Sequence, residues 1–183
     1  MTDLSLAVSA ALTKYYEDVA GKIHKWVDPL SDEAFWTKPY PYGNSVGHLV
    51  LHLTGNLQDR IAARISGSGY QRDRNREFTD SEKRPKNEVL ANFDEAIAMV
   101  IDVIQQQHAD NWLAPYRAAT GPVASDRLSI VIRCLTHCNH HLGQIIYLTK
   151  ELDRNADHQE STLKRLHEVA RDTPTVRSPP FRR

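Results

Sequence analysis

Residues 126–152 read DRLSIVIRCLTHCNHHLGQIIYLTKEL. Leu128, Val131, Ile132, Leu135, Leu142, Ile145, Ile146 and Leu148 recur at helical spacing, the pattern of an α-helix with one face on a core. Ser125 or Asp126 supplies the start, and the pattern runs to about Leu152. A helix turns about 100° per residue, so His137 and His141, four apart, project from one face and can share a metal ion. With Leu135 set at 0°, Leu128, Val131, Leu142 and Ile146 fall within about 40° of it, and the two histidines near 200° and 240°. Ile130, Cys134, Ile145 and Leu148, at about 220–280°, surround the histidines with apolar groups, while His140, near 140°, points away. Unprotonated imidazoles in apolar surroundings suit a transition metal, which must displace the proton and needs a dry cavity.

Three further helices follow from the same period. Leu4, Val8, Leu12, Tyr15, Val19, Ile23, Trp26 and Leu30 form a first stripe, closed by Asp28-Pro29. Residues 31–44 hold two prolines and a glycine, and predict a connector packed on the helices by Phe35, Trp36, Tyr40 and Tyr42. A second stripe, Val46, Leu49, Val50, Leu53, Leu57 and Ile61, runs from Ser45 to about Ile65. Residues 71–86 are almost wholly charged and polar, and read as a solvated crossover long enough for a parallel return. A third stripe, Val89, Phe93, Ile97, Val100, Ile101 and Ile104, spans about Asn87 to His108. The fold class is therefore all-α, a four-helix bundle over residues 1–152. The tail, 153–183, predicts a further helical stretch near residues 161–172 and then a mobile end.

The chain has 183 residues with 23 Lys plus Arg against 23 Asp plus Glu. That balance excludes a general electrostatic binder of nucleic acid or anionic membrane. No apolar run approaches the roughly 20 residues that cross a bilayer, and the acidic N-terminus does not suit a secretion signal. A cytoplasmic protein is expected, and Cys134 and Cys138 fit a reducing compartment. Neither a Ser-His-Asp nor a Cys-His arrangement can be placed, and no general base stands out among carboxylates that fall mostly in charged loops.

His52 and His48, one turn apart on the second helix, compete to be a third ligand. Three imidazoles from two helices would leave coordination positions open for water or substrate. Cys134 and Cys138, also four apart, offer a thiolate alternative, although small core side chains are the simpler reading. His24, His108, His158 and His167 have no partner pattern.

Ser45-Val46-Gly47, then His52-Leu53-Thr54-Gly55-Asn56, and later His137-x-x-x-His141-Leu142-Gly143-Gln144-Ile145, resemble the DinB-like (damage-inducible) four-helix-bundle proteins over about residues 4–152. More narrowly, they resemble a branch of small bacterial proteins of uncharacterised function, which also carries an Arg-rich stretch ending in Glu-Phe. Arg72-Asp73-Arg74-Asn75-Arg76-Glu77-Phe78 is the candidate for it here. The resemblance implies long crossover connections, a homodimer, and a divalent ion, zinc or nickel among others. Carried over by position, its ligands are His52, His137 and His141, with His48, Asn56, Arg60 and Gln144 in the surrounding shell or pocket. Relatives in the wider superfamily include bacillithiol- and mycothiol-dependent transferases, so the resemblance implies a low-molecular-weight thiol cosubstrate and a small electrophilic substrate. Arg60, two turns after His52, would meet an anionic group of that cosubstrate or else form a surface pair. Metal-activated hydrolysis and a purely structural ion are the competing expectations. Neutral charge and the lack of a recognition motif argue against DNA binding.

Overall fold

The first stripe forms α1 (Leu4–Val27), turned by one residue from the expected face. Leu12, Tyr16, Val19, Ile23 and Val27 are buried, whereas Tyr15 is 61% exposed. Tyr15 and Tyr16 both satisfy a three-or-four spacing from Leu12, so the period does not choose between them. Tyr16 wins because its hydroxyl donates to the Val131 carbonyl at 2.8 Å, giving a buried phenol a partner. The computed structural model describes residues 4–79, 82–117 and 124–172, with side chains to residue 156.

Ser31 caps the short α2 (Asp32–Trp36) by accepting from the Ala34 amide. Ser45 caps α3 (Val46–Leu57), whose Gly47 lies so close to the Trp36 ring that a Cβ there would come within 2.7 Å of it. From Gln58 to Ser66 the helix continues with π-type bonding and stops at Gly67, whose φ of +70° suits glycine. The crossover contains α4 (Arg76–Thr79), and α5 (Lys86–Gln105) follows it. Lys86 Nζ reaches back to the carbonyls of Val27, Asp28 and Leu30, at and just beyond the C-terminus of α1. Such carbonyls lack partners within their helix. After α6 (Ala109–Trp112), Asp126 accepts from the Ser129 amide and caps α7 (Arg127–Asp172).

The described residues are mostly helical and contain no strand, only an isolated bridge between Pro115 and Asp126. The long helices meet pairwise: α1 lies against α5 and α7, and α3 lies against the same two. Among the described residues the α-helices number seven rather than the four expected, because α2, α4 and α6, of four or five residues each, form within the connectors.

Two further expectations change. The crossover is not wholly solvated, because Glu77 of α4 is buried. And α7 runs 46 residues without a break at Leu152. The apolar stripe fades there, but residues 153–172 contain neither glycine nor proline to stop a helix. The sequence reading of the end of the tail, from residue 173, lies outside the described residues.

Candidate metal centre

On α7 the buried arc is centred on Cys134, Cys138 and Ile145, each at most 2% exposed, with Ile130 and Leu148 at one edge and Val131 and Leu142 at the other. Leu135, the reference for the sequence reading, is only half-buried, and Ile132 faces solvent. His137 and His141 flank Ile130 and Leu148 at the edge of this arc, half-buried and directed at α3. There His52 meets them. One nitrogen of each of the three rings lies within 4.8 Å of the others. His52 Nε2 and His137 Nε2 are 3.0 Å apart, and the His137 and His141 rings stand perpendicular with centroids 4.5 Å apart.

Partners on the far side of two rings fix which nitrogen faces the centre. His52 Nδ1 lies 2.8 Å from Glu77 Oε2. A carboxylate only accepts, so Nδ1 carries the hydrogen and the Nε2 lone pair points inward. Arg72 grips the same carboxylate with two bonds, Nε to Oε1 at 2.6 Å and Nη2 to Oε2 at 2.9 Å. It also donates to the His52 carbonyl at 3.4 Å. Phe78 covers the His52 ring, with centroids 5.0 Å apart. Gly55 makes room for this arrangement, because the Glu77 carboxylate occupies the space a Cβ at position 55 would take. His141 Nδ1 donates to Gln144 Oε1 at 2.7 Å, which turns its Nε2 inward as well.

The electrostatics favour the neutral forms of His137 and His141. Burial, followed by the neighbouring His141, His52 and His140, pushes the His137 pKa down to about 4. Burial also lowers that of His141, against the hydrogen bond to Gln144. Burial works to raise the Glu77 pKa, but hydrogen bonds from His52 and Arg72 outweigh it and keep the carboxylate ionised. Imidazoles backed by a carboxylate and an amide are the donor set that zinc and similar ions take. Tetrahedral bonds of about 2.0–2.1 Å would place ligand nitrogens roughly 3.3 Å apart. The 3.0 Å pair and the 4.8 Å envelope bracket that value, so the three residues fit a divalent ion.

The other sequence candidates separate. His48 is not in the cluster: its Nδ1 lies 2.7 Å from Ser45 Oγ and 3.3 Å from the Ser45 amide, completing the helix cap, and its ring meets the edge of Trp36. Asn56 and Arg60 line a cavity of about 430 Å³ that His137 also reaches. Tyr40 and Gln144 line a second cavity beside His140, Tyr42 stacks on Tyr40 from solvent, and Trp36 belongs elsewhere, beside His48 and Phe78. Cys134 and Cys138 are core residues outside the cluster. Burial pushes the Cys134 thiol up to about 12 and that of Cys138 further.

Glu77 and Arg72 are the residues that spacing alone did not find. Their signal was the Arg72–Phe78 stretch, which marked the segment without indicating that it folds onto His52. Residues 6–165 match the model of a family described as "Protein of unknown function (DUF1572)", extending along α7 past residue 152. No curated protein matches the chain. The match covers most of the sequence, and the chain belongs to the DUF1572 family, a DinB-like family.

Proposed function

We propose that this DUF1572 protein is a metal-dependent S-transferase that joins a low-molecular-weight thiol to electrophilic small molecules. Zinc or nickel is held by His52, His137 and His141. The observation that carries this reading is the convergence of three imidazoles from two helices, two of them turned inward by partners on Nδ1. An ion held there would lower the pKa of an incoming thiol, making a thiolate available near neutral pH. Its sulfur then forms the new S–C bond, the thiol proton leaves to solvent, and the displaced group departs with its bonding pair. Cys134 and Cys138 support an external nucleophile, since both are buried with raised pKa values and poorly suited to attack. The Glu77 carboxylate is committed to His52 and Arg72, which disfavours it as the base of a hydrolase.

In this reading the four long helices are a DinB-like bundle with long crossovers, acting as a cytoplasmic homodimer. The test is metal content by mass spectrometry on untagged protein, beside conjugation of 1-chloro-2,4-dinitrobenzene to added thiol. About one equivalent of ion per chain is expected, together with thiol-dependent turnover, and His137→Ala should lose both. Turnover that survives alanine at all three histidines overturns the reading. Bound metal that raises the melting temperature without any turnover would make the ion a tie between α3 and α7.

A further inference from the structure

Two arginines approach the cavity beside His137 from different helices. Arg60 enters from the π-type continuation of α3, and Arg133 stands one turn before His137 on α7. The Arg60 backbone is held in place, its carbonyl accepting from the Tyr116 hydroxyl at 3.1 Å. Its side chain is largely buried, yet its nearest carboxylate, Asp59, is 3.8 Å away and is shared with Arg64 at 3.5 Å. That distance is too long for a good hydrogen bond. Among the described residues, the Arg60 guanidinium has a hydrogen-bonding neighbour in the Tyr116 hydroxyl, the Arg133 guanidinium donates no hydrogen bond within the protein, and no carboxylate lines the cavity. A guanidinium presents five donors in a fork that matches an oxyanion. The remaining lining suits a small ligand: Asn56 and Thr136 are polar, Ile130 and Cys134 close the apolar side, and the volume falls within the usual ligand range.

We propose that this cavity is an anion subsite, in which Arg60 and Arg133 bind the carboxylate of a thiol cosubstrate whose sulfur lies at the three histidines. The proposal rests on the metal reading above and names its specificity: the thiol is anionic, and the two arginines select it. Since two charge-assisted contacts operate in a half-enclosed site, the selection weakens as salt is raised.

The experiment titrates cobalt-loaded full-length protein with 3-mercaptopropionate, 2-mercaptoethanol and cysteamine, whose arms are negative, neutral and positive. Sulfur-to-cobalt absorption gives each dissociation constant without requiring turnover. Comparing the ratios in wild type and variant cancels the thiols' own acidities. In Arg60→Gln/Arg133→Gln the advantage of 3-mercaptopropionate over 2-mercaptoethanol should fall about tenfold, while 2-mercaptoethanol itself binds as before. Arg133→Gln alone alters only an exposed side chain and should account for part of the loss, so the result does not depend on how the double variant folds. Charge preference unchanged in both variants overturns the subsite and leaves the metal reading standing. Failure to bind cobalt overturns both.

Discussion

His48 and His52 lie one turn apart on the same helix, each 6% exposed, and they do different things. His48 turns Nδ1 back to Ser45 and closes the N-terminus of α3. His52 turns Nδ1 outward to Glu77, an acid delivered by another segment, and so aims Nε2 at the two histidines of α7. Burial and residue type are the same; the partner of one ring nitrogen decides whether the other is free to serve as a ligand. His24 shows a third outcome. It faces Asp94 at 2.7 Å through Nε2 and Asp28 at 3.1 Å through Nδ1, a setting that favours the cation.

Exchange of each residue in turn tests this division, with the largest effect expected at His52. His52→Ala should weaken zinc binding by at least about 100-fold in a competition titration, since losing a ligand should exceed the usual effect of losing its hydrogen-bonded partner. His48→Ala should leave it unchanged. Equal losses from the two variants would erase the distinction.

Glu77→Gln keeps an acceptor for His52 but removes the charge. Affinity should fall about 10- to 100-fold, the range typical of residues that orient a ligand. A cobalt derivative should show a shifted ligand-field spectrum, which a purely structural role for Glu77 would not produce. His48→Ala should instead lower stability by about 1 kcal/mol in urea unfolding, the usual cost of a lost helix cap.

The smallest effect belongs to His24. Burial opposes its charge, but the hydrogen bonds to Asp94 and Asp28 raise its pKa. Its contribution to stability is therefore complete below the unfolded-state value of about 6.5 and is lost as pH rises through the raised folded value. His24→Gln should cost about 0.5 kcal/mol at pH 5.5, a partly exposed pair being well screened, and nothing at pH 9. An effect of the same size at both pH values would show that packing rather than charge is responsible.

The visibility of each part in the sequence follows the same physics. The long helices were legible because burial repeats with the helical period, and His137 with His141 because a four-residue spacing already brings them together. The choice of Tyr16 over Tyr15 was not, since it depends on a carbonyl 115 residues away. His52 was separated from His48 only by the motif around it. Glu77 was hidden because a polar stretch reads as solvated, and its burial requires Arg72 to neutralise it and Gly55 to admit it. None of those conditions is local.

The contact between Gly55 and Glu77 also ties two distant positions of the chain together. The carboxylate fills the volume that a side chain at position 55 would need, so the two positions, 22 residues apart, draw on one space. An alanine at 55 would push the Glu77 carboxylate aside, and with it the acceptor that orients His52. A change of volume at either position is therefore felt at the other.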